Sequence, residues 1–340
     1  MSIPTPVTPS FTPVFETASQ AIATAYPTGF SAEIAALMGQ ACQLTYLQYQ
    51  QTKGAPVELS QLALVTGVSS YGQLGNALTW TEAIGIGAVQ PGSPGLATVP
   101  FGFAFTAQDS NSKPVFNVIA FRGTRSYSEW VADAEATPAE FNLAKGDHLL
   151  PALVHGGFYG LYNAGGATPP ASGTLADQVR TILKLVQQQE SNVPLYITGH
   201  SLGGALAELC AADVGANFGR GYFSALYEYS LASPQVAAGI TTTLKLFNSP
   251  IEIPTTYFTG VLTSSVLSGG AYRIVNSADL IPLLPFTVGS PSGWGVEFAP
   301  SIPASATVNW LVQTGDIGGN HAVDLYADFL DQLPATWPAQ

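Results

Sequence analysis

Tyr196-Ile197-Thr198-Gly199-His200-Ser201-Leu202-Gly203-Gly204-Ala205-Leu206-Ala207 joins a strand, a serine at a crowded turn and a helix. Leu195 to Thr198 form a short β-branched and aromatic run suited to a buried strand, and Leu202, Ala205, Leu206, Leu209 and Cys210 follow at helical spacing. The glycines at 199 and 203 are what such a turn demands. Strand and helix approach so closely there that a side chain at either position would clash, and the serine between them is forced into a strained backbone conformation. This is the pattern of a nucleophile elbow, which holds a serine hydroxyl exposed above a sheet.

Working outward, Thr174-Leu175-Ala176-Asp177 reads as a capping box opening a helix with Val179, Ile182, Leu183 and Val186 on one face. Phe101–Ala107 and Val115–Phe121 read as two strands of a hairpin around the polar cluster Asp109–Lys113. Tyr227–Leu231 and Tyr272–Asn276 are further strands, and Ser31–Gln50 carries helical apolar spacing. Ala55–Leu96 is Gly-rich and resists assignment. Strands alternating with helices imply an α/β fold whose central sheet is mostly parallel and flanked by helices, with its chemistry at the carboxyl ends of the strands. The expected organisation is a Pro/Thr-rich arm over residues 1–30 and a single domain over residues 31–340.

Only 9% of the 340 residues are charged while 46% are hydrophobic, so Ser, Thr, Gln, Gly and Pro must cover much of the surface. The formal net charge of -12 disfavours nucleic acid and anionic membranes as partners and leaves uncharged ones open. Cys42 and Cys210 both lie in segments of helical apolar spacing and read as buried free thiols. The chain has no CxxC and no metal-ligand cluster, so no metal or other cofactor is expected. Met1–Pro13 lacks a basic region and an apolar core, so no signal peptide is visible, and no stretch approaches the roughly 20 apolar residues of a membrane span. The expectation is a soluble chain, cytoplasmic or exported by a route the sequence does not display.

A serine hydroxyl needs a base, and that base needs an acid to hold its tautomer. Four histidines are available. His200 adjoins the serine at a tight turn and would point away from it; its expected role is packing under the elbow. His148 and His155 precede Ser201, against the order serine, acid, histidine that elbow enzymes follow. His321 remains, in the loop Gly318-Gly319-Asn320-His321 before a terminal helix. The acid should lie between them at a strand end, and Asp279 follows the apolar strand Arg273–Asn276 directly. Asp316 and Asp324 are rivals, the second read as a helix cap or surface charge; Glu252, with prolines nearby, reads as loop. An oxyanion needs donors: the Leu202 N–H supplies one, and Phe121-Arg122-Gly123-Thr124 follows an earlier strand, where Thr124 offers a backbone N–H and a hydroxyl.

Taken together these residues resemble the class 3 lipase family of α/β-hydrolases. Five blocks agree in order: Phe121–Thr124, Trp130-Val131-Ala132-Asp133, Val154-His155-Gly156-Gly157-Phe158, Gly199–Ala207 and Arg273–Pro282. The resemblance implies Ser201 as nucleophile, Asp279 as acid, His321 as base and Thr124 with Leu202 as oxyanion hole, with His155 structural. It also implies a lid over Ser126–Thr137, where Tyr127, Trp130 and Val131 fall on one helical stripe able to meet a lipid–water interface. Two departures stand out. Ala232-Ser233-Pro234-Gln235-Val236-Ala237-Ala238 replaces the family's usual Gly-Ser-Pro-Arg-Val-Gly-Asn, and Phe247–Gly270 lengthens the interval between serine and acid, where it would border an acyl pocket. The implied activity is hydrolysis of lipid carboxylic esters, acylglycerols first, as a triacylglycerol lipase or carboxylesterase working through an acyl-enzyme. Phospholipase A1 and hydrolysis of polyesters or aryl esters use the same three residues, and an inactive lipase-like binding protein is the alternative of another class.

Overall fold

A computed structural model describes residues 29–52, 79–89, 98–108, 114–123, 138–142, 152–163, 165–168, 171–188, 192–218, 222–246, 249–255, 258, 262, 268–285, 296–302 and 306–333. The strands among them are β1 (Thr79–Val89), β2 (Thr98–Gln108), β3 (Pro114–Phe121), β4 (Pro138–Glu140), β5 (Leu153–His155), β6 (Gly165–Thr168), β7 (Ala171–Thr174), β8 (Leu195–His200), β9 (Leu226–Leu231), β10 (Ala237–Leu246), β11 (Ser249–Thr255), β12 (Ser268–Asn276), β13 (Val296–Ala299) and β14 (Thr307–Trp310). The helices are α1 (Ala32–Thr52), α2 (Gly156–Asn163), α3 (Leu175–Gln188), α4 (Leu202–Phe218), α5 (Ile317–Asn320) and α6 (Val323–Asp331).

The main sheet has the order β1-β2-β3-β8-β9-β12-β14. Its first three strands form an antiparallel meander, and from β3 onward every pairing is parallel. Each parallel strand therefore delivers its carboxyl end to one edge, as the alternation of strands and helices predicts. Side chains alternate across the sheet: Phe116, Val118 and Ala120 of β3 face a core shared with α1 and α6. Ile119 and Phe121 face the opposite core, shared with α2, α3 and α4.

The capping box is formed, with Asp177 N–H donating to Thr174 Oγ1 at 3.0 Å and Thr174 N–H returning to Asp177 Oδ2 at 3.2 Å. Both cysteines are buried and free. Of the N-terminal arm, residues 1–28 lie outside the described residues, as do Asp109–Lys113 and His148. No helix of the described residues is long and apolar enough to cross a membrane.

A second sheet, of order β11-β10-β5-β4 with β13 paired to β10, was not expected from the sequence. It takes up part of the Phe247–Gly270 segment, and Glu252 stands in its edge strand, so the reading of Glu252 as loop is corrected. Proline is tolerated there because an edge strand needs ladder bonds on one side only. Likewise β1 occupies part of the unassigned Ala55–Leu96 stretch.

The elbow is the tightest point of the molecule. A Cβ on Gly199 would overlap the backbone carbonyl of Gly203, and one on Gly203 would overlap the carbonyl oxygen of Phe121 at the end of the neighbouring strand. Neither obstacle is a side chain that can rotate away. Gly203→Ala should therefore destabilise the fold by about 3 kcal/mol or more, read as a lowered midpoint in denaturant unfolding; a variant as stable as the parent would mean that the approach of α4 to β3 is looser than drawn.

Candidate active site

Three side chains far apart in sequence meet at the carboxyl edge of the main sheet. Ser201 sits between β8 and α4 with φ 61°, the left-handed region that costs a serine ~1–3 kcal/mol. Its N–H is held by Leu231 O of β9 at 2.9 Å. His321 caps the short helix α5, and its Nε2 stands 2.8 Å from Ser201 Oγ. On the other side its Nδ1 lies 2.7 Å from Oδ2 of Asp279, whose side chain is fully buried in the loop after β12. The spacing suits an imidazole that donates from Nδ1 to the carboxylate and accepts at Nε2 from the hydroxyl.

Asp279 is held at both oxygens. Ile281 N–H donates to Oδ1 at 2.9 Å, and the buried Tyr326 hydroxyl donates to Oδ2 at 2.9 Å while accepting from Asn276 N–H at 3.0 Å. The loops of Asp279 and His321 are also tied to each other. Asn276 Nδ2 donates to Val312 O and Asn320 O, and Asn320 Nδ2 donates to Ala278 O. Sequence reasoning missed Tyr326, Asn276 and Asn320. The available signals were an asparagine at a strand end, another beside the histidine, and a tyrosine on the first turns of the helix that follows it.

Beneath the elbow, His200 Nδ1 pairs with the Tyr46 hydroxyl of α1 at 2.9 Å. Its ring lies 4.8 Å from that of His321, centroid to centroid. Burial, and secondarily the nearby His321, pushes its pKa well below the ordinary histidine range, so it stays neutral. The packing role expected for His200 is what its surroundings show. His155 is buried and stacked on Phe158 at 4.1 Å, and burial depresses its pKa to about 4. Asp316 accepts from Gly319 N–H as the N-cap of α5, and Asp324 accepts from Gln43 of α1 at 2.8 Å, so both rivals of Asp279 are engaged elsewhere.

Leu202 opens α4 directly after Ser201, and the Gly204 and Ala205 N–H groups of the first turn donate to Ser201 O at 2.8 Å and 3.3 Å. Thr124 lies outside the described residues, as do Tyr127, Trp130, Val131 and the whole expected lid. Gly123, one residue before Thr124, is packed against the serine: a Cβ there would stand 2.9 Å from Ser201 Cβ. The departure at Ala232 also has a geometry: it has φ 51°, a conformation that suits the glycine usual at that position better than an alanine. Among the described residues no group of three or more His, Cys, Asp or Glu could hold a metal ion.

The model of the class 3 lipase family, "Lipase (class 3)", matches residues 118–289, which take in the second half of β3, the elbow and Asp279. The chain belongs to that family, and its fold is the α/β-hydrolase fold. It is 30% identical over 231 residues to the secreted mono- and diacylglycerol lipase A of Penicillium cyclopium, covering 65% of this chain and 61% of that one. The chain thus spans about three fifths of the length of that relative. It is 34% identical over 105 residues to phospholipase A1-II 3 of Oryza sativa subsp. indica, covering 29% of this chain and 25% of that one. Among solved structures, lipase II from Rhizopus niveus superposes with a TM-score of 0.47 at 17% identity, covering 85% of this chain and 91% of that one.

If Asp279 orients His321 and Tyr326 orients Asp279, two substitutions separate the roles. Asp279→Asn should lower kcat by about 10⁴-fold through the wrong tautomer, far more than Asp324→Asn or Asp316→Asn. Tyr326→Phe should lower it about 10-fold with KM unchanged. A crippling effect of Asp324→Asn would assign the acid differently.

Proposed function

We propose that this chain is a serine hydrolase that cleaves carboxylic esters of lipids, acylglycerols first, through an acyl-enzyme on Ser201. The observation that carries the reading is the line from Asp279 Oδ2 through both nitrogens of His321 to Ser201 Oγ, with 2.7 Å and 2.8 Å at its two joints. In this reading Ser201 Oγ attacks the ester carbonyl carbon as His321 Nε2 takes its proton. Asp279 stabilises the resulting imidazolium without accepting the proton itself. The negative charge that develops on the carbonyl oxygen falls to the Leu202 N–H and to Thr124, each such donor being worth ~3 kcal/mol. His321 then returns the proton to the departing alcohol oxygen, and a water activated by the same imidazole releases the fatty acid. The expected helix of Tyr127, Trp130 and Val131 would cover this site in water and turn outward at a lipid surface.

Neutral acylglycerols are favoured over anionic phospholipids on electrostatic grounds, because a chain of net charge -12 repels anionic surfaces; zwitterionic phospholipid is not disfavoured in this way. The similarity to a protein named phospholipase A1 supports the second reading. One experiment addresses both. A fluorophosphonate should label Ser201 covalently, and Ser201→Ala should abolish labelling and lower turnover by several orders of magnitude with the fold intact. Run against emulsified mono-, di- and triacylglycerols, zwitterionic phospholipid, and p-nitrophenyl esters from acetate to palmitate, the wild type should turn over acylglycerols fastest. Faster release of the sn-1 chain from phospholipid would establish phospholipase A1; labelling without turnover on any ester would point to a binding protein.

A further inference from the structure

The helix that carries Ser201 buries a carboxylic acid two turns beyond it. Glu208 is wholly inaccessible, as are Glu228 and Ser230 on β9, and Arg273 on β12 is nearly so. All four lie on the same side of the sheet. Ser230 and Arg273 are register partners across β9 and β12, and Glu228 is two residues from Ser230, so these side chains project to the same side. That side is the one α4 covers, since Leu226 of β9 and Ala271 of β12 belong to the core beneath α4. Glu208 and Glu228 lie within electrostatic reach of each other and of Arg273. Ser230, Ser233 and Ser301 stand beside Glu208, and Ser230 stands beside Glu228 as well.

Arg273 leads from this cluster to the site. Its Nη2 donates to Ser233 O, in the loop after β9, and to Pro282 O, in the loop that carries Asp279, both at 2.8 Å. Two ionised carboxylates and one guanidinium would leave an uncompensated negative charge in an interior closed to bulk solvent, where neighbouring like charges cannot both ionise cheaply. One proton on the pair makes the three groups neutral.

We propose that Glu208 and Glu228 share one proton, that their single remaining charge balances Arg273, and that Arg273 so held is a positioning residue for the Asp279 loop. The part concerning Asp279 rests on the function proposed above; the charge balance does not. Burial first, and for Glu228 the neighbouring Glu208 next, raises both carboxyl pKa values, so the pair titrates as a unit. Among the described residues, Cys210 of α4, Cys42 of α1, Tyr326 of α6 and Asp279 also sense these three residues, and burial holds both thiols protonated. The sign follows from linkage. The unfolded chain releases the shared proton in the ordinary carboxylate range while the folded chain keeps it, so wild-type stability falls as pH rises through that range and on toward the folded value.

The test needs no substrate at first. The melting midpoint of wild type should fall between about pH 5 and about pH 8, and Glu208→Gln and Glu228→Gln should each flatten that fall, since the one remaining carboxyl ionises against Arg273. Near pH 8 the infrared spectrum of wild type should contain a protonated-carboxyl C=O band that neither single variant retains. Parallel pH curves for wild type and both variants, or no such band, would overturn the proposal whatever the protein hydrolyses. Turnover then tests the positioning. Each single change should lower kcat by no more than about 3-fold, whereas Glu208→Gln with Glu228→Gln should cost about 30-fold or more, because Arg273 is left without a counter-charge. Adding Arg273→Met to that double variant should recover its melting midpoint but not its kcat, as the bonds to Ser233 O and Pro282 O stay lost. Recovery of both, or additive effects of the two glutamines, would reduce Arg273 to a structural residue.

Discussion

The approach of α4 to the ends of β3 and β8 is the constraint on which the site depends. Because the backbone of Gly203 rests on the carbonyl of Phe121, and Gly199 on that of Gly203, the chain must reverse within one residue. That residue is Ser201, at φ 61°. The strain of ~1–3 kcal/mol is sustained by the packing on either side. Every residue from Leu202 to Val214 is buried, and β8 is sandwiched between two parallel neighbours. A looser helix would relax the serine into an ordinary turn and lower its hydroxyl toward the sheet.

The second requirement is that two loops whose key residues, Asp279 and His321, are 42 residues apart arrive together. Parallel pairing of β12 with β14 brings Asn276 beside Trp310, so the loops leaving both strands start as neighbours. Asn276 and Asn320 then bond across the gap, and Tyr326 reaches from α6 to the carboxylate. Asp279 consequently has little freedom to rotate, and the imidazole between it and Ser201 inherits that order. Such support matters because a displacement of about 1 Å in a reacting group costs as much as 10²-fold in rate.

The sequence was most legible where structure is local. The elbow, the capping box of Thr174 and Asp177, the β2–β3 hairpin and the helical spacing of α1 are patterns of a few residues whose physics is complete within the segment. Ser201, Asp279 and His321 could be selected because histidine is scarce and because acid and base must follow the serine in order; the structure brings all three within hydrogen-bonding reach. What escaped was non-local. The second sheet depends on β10 meeting β5 from far upstream, and Pro250 and Pro254 disguise β11 as loop because nothing within the segment tells that it lies at an edge. Tyr46 under His200 and Tyr326 on Asp279 were hidden for the same reason, each being an unremarkable aromatic on a helix until the fold supplies its partner.

The sparing use of charge acquires a different meaning once the interior is seen. With 10 basic residues in 340, a chain that places Arg122 and Arg273 in its core is not using them for solubility. Arg122 lies over the rings of Tyr49 and Phe101 and donates to Gly123 O at 2.6 Å, fixing the loop that passes beside Ser201. Arg273 does the corresponding work on the loop of Asp279. A guanidinium suits both tasks because its planar fork donates to several carbonyls at once and keeps its charge when desolvated. Its burial requires balance, and the two arginines meet that need differently: Arg122 through aromatic faces, Arg273 through the acids on α4 and β9. The loop of Gly123 and the loop of Asp279 are thus each braced by a buried cation, which ties the geometry around one serine to electrostatic choices made well behind it.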